Sequence, residues 1–120
     1  GINWVAMQGC DVVSGHFSGC IMATYTEAGV RKVCHVSTGA EYGDCRAAWD
    51  AAKVNFTDVF EFRPSDFIGD TAHTSCYGVI TNDLQTLTVL RHPKDARFND
   101  IPVRTQANFI KMTKARLLRD

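Results

Sequence analysis

A cysteine and a histidine in the first third of the chain have the side chains that nucleophilic catalysis requires. Cys20 follows Ser18 and Gly19, and His35 comes fifteen residues later. An imidazole within hydrogen-bonding reach of a thiol takes its proton and so converts the sulfur into a strong nucleophile. The pair predicts Cys20 as the nucleophile and His35 as the general base of an enzyme, on condition that the fold brings both side chains to one surface.

Neighbouring residues supply the other parts of such a site. The missing side chain of Gly19 lets a substrate approach the backbone, and the amides near Ser18 and Gly19 are predicted to hold a developing oxyanion. A third group must orient the imidazole. Ser14 is the candidate, through its hydroxyl or its carbonyl, and Gln8 and Thr38 are the alternatives.

Other interpretations of these residues stay open. His16 is an alternative base because it is close in sequence to Cys20. Cysteines are also common buried residues, so Cys20 and His35 have a purely structural interpretation as strand residues. Cys34 alternates away from His35 and is expected to be an inert core residue.

Metal binding is the weakest of the chemical hypotheses. Two sets of residues carry suitable ligand atoms, namely Cys10, Cys20, Cys34 and His35, or His73 and Cys76. Their spacing lacks the paired C-x₂-C pattern of structural zinc sites. We therefore expect neither a metal nor any other cofactor.

The proposed pair lies on a predicted β-hairpin. Two β-prone runs, 20–25 and 30–36, flank Thr26-Glu27-Ala28-Gly29, with Gly29 expected in the left-handed conformation. If those four residues form the loop, Tyr25 faces Val30, and counting back places Cys20 opposite His35. Directly paired residues have Cβ atoms about 5 Å apart.

A different turn gives a different result. A three-residue turn with a bulge at Gly29 pairs Thr26 with Val30 and places His35 opposite Ile21. A one-residue slip moves every side chain to the other face of the sheet. The catalytic hypothesis therefore depends on the conformation of a single turn.

The remaining segments predict an α+β domain, with a central mixed sheet or β-sandwich flanked by one or two helices. A helix from an N-cap at Asp44 to about Asn55 has an apolar face formed by Cys45, Ala48, Trp49, Ala52 and Phe56. The other predicted strands are 2–8, 12–13, 58–62, 76–81 and 86–91, with a turn at 82–85. The last segment fits either a helical stripe of Val103, Ala107, Ile110 and Leu117 or a strand at 109–112.

Length and composition predict one domain over residues 1–120, with an ordinary apolar content of 45%. Thirteen basic residues balance thirteen acidic ones, so we expect no nucleic-acid or membrane partner. Five cysteines, an odd number, argue against a complete disulfide framework. Because the sequence begins with Gly1, we expect it to be an excised or processed domain.

The motif Phe17-Ser18-Gly19-Cys20, followed by His35, resembles the glutamine deamidase toxins of the cytotoxic necrotizing factor type. Those toxins carry Leu-Ser-Gly-Cys and, a dozen or so residues later, a histidine. Burkholderia lethal factor and the chemoreceptor deamidase CheD share their catalytic fold, and in both a threonine six residues before the cysteine completes the site. Ser14 takes that position here, and the resemblance covers essentially residues 14–35.

The resemblance implies a β-sandwich flanked by helices, with Cys20 as nucleophile and His35 as base. It implies a hydrolase that converts a glutamine of a target protein to glutamate through a thioester intermediate. It also implies a bacterial toxin or effector with a role in virulence, secreted or translocated into the cytosol of a target cell. A GTPase, a helicase or a translation factor is the kind of protein substrate expected.

Two alternatives compete with this function. A transglutaminase or thiol protease uses the same pair of residues with a different acceptor or a different scissile bond. A non-catalytic partner-binding domain is the alternative from another class, and in it Cys20 and His35 are structural.

Overall fold

The computed structural model describes residues 1–39, 43–67, 75–91, 97 and 115–119. Within these ranges the chain forms eight β-strands, one α-helix and a short 3₁₀ helix. The strands are β1 (Ile2–Ala6), β2 (Asp11–Gly15), β3 (Ile21–Glu27), β4 (Val30–Val36), β5 (Thr57–Phe62), β6 (Ser75–Ile80), β7 (Thr86–Arg91) and β8 (Ala115–Arg119). The α-helix, α1, spans Arg46–Lys53, and the 3₁₀ helix spans Pro64–Phe67.

The strands form two four-stranded sheets. The first sheet has the order β1-β4-β3-β5 with antiparallel neighbours throughout. The second sheet has the order β7-β6-β2-β8, in which β8 runs parallel to β2 and the other pairs are antiparallel. The predicted fold class, an α+β sandwich with a helix outside, is confirmed.

Two apolar layers hold the domain together. The inter-sheet core contains Met22 and Val33 from the first sheet and Val12 and Ile80 from the second. The helix-side core lies on the other face of the first sheet, where α1 packs against it. Its buried members are Ala23, Tyr25, Cys34, Val36 and Trp49. Alternation along β4 thus directs successive side chains into different cores.

The β3–β4 hairpin closes with a tighter turn than either predicted loop. Glu27 pairs with Val30, so Ala28 and Gly29 alone form the turn, and both have left-handed φ values, +51° and +77°. This is the combination that a two-residue type I′ turn requires, because its twist matches that of the strands. The conformation predicted for Gly29 is confirmed.

The predicted pairing of the hairpin is wrong. Tyr25 pairs with Lys32, and His35 pairs with Met22 rather than with Cys20 or Ile21. The register differs by two residues from the one that placed Cys20 opposite His35. A shift of two residues preserves the face on which each side chain lies, whereas a shift of one reverses it.

Helix α1 is shorter than predicted. Its N-cap is Cys45, and Asp44 precedes it, although the Asp44 carboxylate still accepts a 3.1 Å hydrogen bond from the Arg46 amide. Trp49 is buried as expected, whereas Ala48 is exposed. At about 100° per residue, Ala48 lies on the flank of the stripe centred on Trp49 and does not face the sheet.

Most other predicted strands match the observed ones within a few residues. The brief strand predicted at 12–13 is longer, spanning Asp11–Gly15. The alternatives for 103–112 concern residues outside the described ranges. Leu117 lies in β8, so the helical interpretation is wrong for that residue. None of the described helices is long and hydrophobic enough to span a bilayer.

Candidate functional site

The candidate base, His35, is held at the centre of the first sheet. It lies on β4, between Asn3 of β1 and Met22 of β3. Its side chain is directed into the space between the sheets and is 0% exposed. A residue on a central strand has its backbone fixed on both sides, so the position of this imidazole is set by the sheet.

Ser14 contacts His35 across the sandwich. Ser14 lies on β2, a central strand of the second sheet, and is completely buried. Its Oγ is 2.8 Å from Nδ1 of His35. Because a hydroxyl both donates and accepts, this bond fixes the orientation of the imidazole in either tautomer. Of the three residues predicted to orient the imidazole, Ser14 is thus the one with a contact to its Nδ1.

Gln8 and Thr38 are the other two candidates for orienting the imidazole. Gln8 is exposed beyond the end of β1 and lines an open depression of about 430 Å³ beside Gly29, at the turn end of the hairpin. Thr38 follows β4 and donates a 3.0 Å hydrogen bond from Oγ1 to the carbonyl oxygen of Gly19. Thr38 therefore holds the loop that precedes Cys20.

Phe17 stacks on the imidazole of His35. The two ring centroids are 4.3 Å apart and the rings are inclined by only 13°. The Phe17 amide donates to the carbonyl oxygen of Cys76 at 2.8 Å, which fixes the backbone from which the ring projects. The phenyl ring of Phe17 therefore restrains the imidazole on one face and makes the surroundings of that face apolar.

Cys20 lies immediately before β3 and is half-buried. Its side chain packs against the inter-sheet core, whose members include Phe17 and Met22. Cys20 is two residues before Met22, the strand partner of His35, and so continues the same face of the sheet. The thiol and the imidazole therefore lie in the same layer of the sandwich, in diagonal rather than directly opposite positions.

The loop before Cys20 has the features expected of an oxyanion site. Gly19 has a φ of +126°, which side-chain-bearing residues rarely adopt. Ser18 is exposed, and Gly19 is partly exposed. In the part of the chain that the structure describes, the amides of Ser18, Gly19 and Cys20 donate no hydrogen bond. Their N–H groups are therefore not engaged within the described part of the chain.

His16, the alternative base, contacts a tyrosine hydroxyl, whereas His35 contacts the hydroxyl of Ser14. It is exposed, and its Nε2 is 2.9 Å from the hydroxyl oxygen of Tyr77. The described part of the structure thus has two imidazoles in different settings: the buried ring of His35, on β4 beside Ser14, and the exposed ring of His16, after β2 beside Tyr77. Only the buried one points into the layer that holds Cys20.

All five cysteines are free thiols, and they differ in their surroundings. Burial raises the pKa of Cys34 to about 12, and Glu61 adds a smaller effect in the same direction. Burial alone raises the pKa of Cys76 to about 11. The prediction that Cys34 is a core residue on the face opposite His35 is confirmed.

No metal cluster forms among the described residues. Within those ranges no group of three or more His, Cys, Asp or Glu side chains is placed to hold an ion. Cys34 faces the helix-side core, whereas Cys20 packs against the inter-sheet core. His73, the remaining ligand considered, is outside the described residues.

We expect alkylation to separate the thiols. At a pH of about 8, fewer than about one in a hundred Cys34 or Cys76 side chains is ionised, because their raised pKa values lie well above the pH. Iodoacetamide should therefore modify the half-buried Cys20 and Cys45 first. Peptide mapping by mass spectrometry over a time course measures the order. Early labelling of Cys34 in the folded protein contradicts its assignment to the core.

Two residues of this region were not predicted as functional. Tyr77 is one residue after Cys76 on β6, and nothing in its sequence surroundings separates it from an ordinary strand tyrosine. Phe17 has the position of the leucine in the toxin motif, and the motif does not predict that its ring covers the imidazole. Both roles depend on how distant strands pack, which local sequence does not specify.

No protein-family model matches the chain, and neither the curated proteins nor the solved structures contain a significant match.

Proposed function

We propose that the domain is a protein glutamine deamidase in which Cys20 is the nucleophile, His35 the general base and Ser14 the residue that positions the imidazole. The observation that carries this proposal is the 2.8 Å contact between Ser14 Oγ and His35 Nδ1 in the layer that also holds Cys20. The order and spacing of the three residues are similar to those of the lethal factor and CheD group, with serine in place of threonine.

Catalysis needs one of the two tautomers of His35, and the contact with Ser14 is compatible with it. For Nε2 of His35 to accept the thiol proton, Nδ1 must carry hydrogen and donate it to Ser14 Oγ. Serine oxygen accepts such a bond readily. In this tautomer Ser14 Oγ accepts the hydrogen bond from Nδ1–H, and it accepts the same bond from the imidazolium that forms when Cys20 loses its proton.

The reaction follows from these groups. The Cys20 thiolate attacks the carboxamide carbon, and the new S–C bond gives a tetrahedral oxyanion. The C–N bond breaks, ammonia leaves with the proton held by His35, and a thioester remains. His35 then takes a proton from the water that attacks the thioester carbon. The S–C bond breaks, His35 returns this proton to the Cys20 sulfur, and the new carboxylic acid loses its own proton to solvent to give glutamate.

Backbone amides stabilise the oxyanion in this proposal. The amides of Ser18, Gly19 and Cys20 donate no other hydrogen bond among the described residues, and the Thr38 bond to the Gly19 carbonyl fixes the loop. A donor of this kind contributes about 3–4 kcal/mol to transition-state stabilisation in other hydrolases. The φ of Gly19 explains why glycine precedes the nucleophile.

The biological setting proposed is that of a bacterial toxin or effector. Its substrate is a protein of the target cell, such as a GTPase, a helicase or a translation factor, and it acts in that cell's cytosol. Conversion of a neutral glutamine to a charged glutamate is sufficient to disable a catalytic or binding glutamine.

Mass spectrometry tests the proposed activity. Candidate host proteins are incubated with the wild-type domain and with Cys20→Ser, and tryptic peptides are scanned for conversion of glutamine to glutamate. We expect a site-specific conversion with the wild type alone. The same pattern with both proteins rejects the deamidase. Crosslinked lysine or a cut backbone in place of glutamate identifies a transglutaminase or a protease.

Loss of the Ser14 hydroxyl should slow the reaction without abolishing it. Removing a buried hydrogen-bond partner costs about 1–3 kcal/mol, which corresponds to a fall of about ten- to a hundredfold if that energy orients the base. We therefore expect Ser14→Ala to show this loss in kcat. Ser14→Thr retains a hydroxyl and should retain most of the activity, so equal losses in the two variants contradict the positioning role.

A second candidate function is favoured by one observation. His35 is completely buried beneath Phe17 and bonded to Ser14, which is also how a structural histidine is accommodated in a core. In that case the domain is a non-catalytic partner-binding module. Its prediction is that His35→Gln leaves the alkylation rate of Cys20 unchanged while lowering stability.

A further inference from the structure

Gly78 lies beside Ser14 in the second sheet. It is buried on β6, and Ser14 is its pairing partner on β2. Directly paired residues of an antiparallel ladder share one face of the sheet, so position 78 faces the inter-sheet layer as Ser14 does. Across that layer, His35 on β4 and Met22 on β3 are paired in the same way. Two neighbouring residues of each sheet therefore meet at this point of the sandwich.

The missing side chain of Gly78 leaves room for three side chains from other elements. A Cβ atom at this position would lie 2.7 Å from Sδ of Met22, 2.7 Å from Cγ of Pro64 and 3.2 Å from Cε2 of Phe17. At 2.7 Å a neighbouring atom has to shift. The backbone of β6 therefore approaches these side chains more closely than any residue larger than glycine permits.

The three neighbours have little freedom to move. Met22, Phe17 and Pro64 are all fully buried. Pro64 is a rigid ring, and its carbonyl oxygen accepts a 2.9 Å hydrogen bond from Oγ1 of Thr88. Because Thr88 is the pairing partner of Gly78 on β7, this bond ties Pro64 to the same row of the second sheet. A methyl group at position 78 would therefore displace Met22 and Phe17 or move the two sheets apart.

Either displacement reaches the imidazole of His35. Phe17 stacks on that ring at a centroid distance of 4.3 Å, and Met22 is the strand partner of His35. The 2.8 Å contact between Ser14 Oγ and His35 Nδ1 crosses the space between the sheets directly beside Gly78. Such hydrogen bonds form at donor–acceptor distances of about 2.7–3.2 Å, so a small separation of the sheets would break this one.

We propose that Gly78 is a positioning residue for the Cys20–His35 pair, an inference that rests on the proposed deamidase function. Its missing side chain lets β6 approach the first sheet closely enough for Ser14 to bond to the imidazole and for Phe17 to stack on it. Gly78 acts through the orientation of the general base and not through contact with the reacting atoms.

The test adds one methyl group at this position. Gly78→Ala should slow iodoacetamide modification of Cys20 about tenfold and lower kcat for a blocked Gln-Gly dipeptide by the same factor, the effect of one lost hydrogen bond. KM should stay at the wild-type value. Adding Ser14→Ala to Gly78→Ala should cost little more than either substitution alone, because both act through one contact with His35. Substitutions that act independently multiply their losses instead.

Trp49→Ala is the control for stability. It removes a buried side chain from the helix-side core, on the face of the first sheet opposite the site, and should leave alkylation of Cys20 unchanged in the folded protein. An equal loss in this variant attributes the effect to stability and overturns the inference. Thr88→Val is the second variant, because it releases Pro64 without adding volume. It should slow alkylation of Cys20 severalfold, and circular dichroism checks that each variant is folded.

A folded Gly78→Ala protein with wild-type alkylation and kcat overturns the inference, and so do losses that multiply with those of Ser14→Ala. If Gly78→Ala does not fold, wild-type alkylation of Cys20 in folded Thr88→Val overturns it. When His35→Gln slows alkylation and the Gly78 variant does not, the proposed function stands and the inference alone fails. Equal alkylation rates in wild type and His35→Gln reject the proposed function, and the inference fails with it.

Discussion

Replacing His35 with glutamine is expected to lower the deamidation rate by about 10²–10⁴-fold, the usual contribution of a general acid–base group. Glutamine fills much of the same volume and its amide can bond to Ser14 Oγ. It cannot take a proton from Cys20 or give one to departing ammonia near neutral pH.

Thiol alkylation gives a second measurement that needs no protein target. The rate of iodoacetamide modification at Cys20 should fall in His35→Gln, because less of the thiol is converted to thiolate. Cys45 serves as an internal control in the same sample, since it packs at the helix-side core, away from His35. Equal rates at Cys20 in wild type and variant reject His35 as the base and favour the partner-binding module. Far-UV circular dichroism checks that the variant is folded.

The hairpin shows what the sequence determines and what it leaves open. Thr26 and Glu27 are polar and precede Ala28-Gly29, which made them part of the predicted loop. In the structure Glu27 continues the strand, and its carboxylate lies 2.7 Å from Nζ of Lys32. The length of the turn is determined by the fit of a left-handed pair of residues to the strand twist, and composition alone does not specify it.

Despite the error in register, Cys20 and His35 lie on the same face of the first sheet, and the reason is physical. The side-chain pattern of a strand repeats every two residues, so a two-residue shift keeps Cys20 and His35 on one face. The direct pairing predicted for them is replaced by a diagonal one, with Met22 opposite the imidazole. A sequence pattern therefore predicts the face of the sheet on which a side chain lies more reliably than it predicts which residue pairs with it across the hairpin.

The contact between Ser14 and His35 could not be deduced from local patterns. The two residues lie in different sheets, on strands whose relative placement depends on the whole inter-sheet core. Sequence reasoning alone kept Ser14, Gln8 and Thr38 as alternatives. The contact between Tyr77 and His16 could not be deduced from local patterns either, because it joins residues sixty-one positions apart.

Helix α1 was predicted from its own periodicity, and the same periodicity identifies the side chain on which its packing depends most. Trp49 is 1% exposed and lies against Tyr25 and Phe56, with ring centroids 5.7 Å and 6.3 Å away. Its indole N–H donates to a carboxylate oxygen of Glu61 on β5. Trp49 thus attaches the helix to the first sheet through both apolar burial and a polar contact.

Trp49→Ala is therefore expected to lower the free energy of unfolding by about 3–5 kcal/mol, as for other buried aromatic residues truncated to alanine. This is a large share of the total stability of about 5–15 kcal/mol that is usual for single domains. Loss of the indole leaves a cavity beside Tyr25 and removes one of the two groups bonded to Glu61, the other being Lys53 at 2.9 Å. Urea unfolding followed by far-UV circular dichroism measures the change.

The chain's other tryptophan is the matched control, because it is also on the first sheet but is 55% exposed. Trp4 carries the ammonium of Lys32 over its ring at 4.0 Å from the centroid, a contact that contributes about 0.5–1 kcal/mol at exposed sites. Trp4→Ala should therefore cost about 1 kcal/mol or less, because little apolar surface returns to water. If both substitutions cost the same, α1 does not bury Trp49 against the sheet, and the division of the molecule into an inter-sheet core and a helix-side core is wrong.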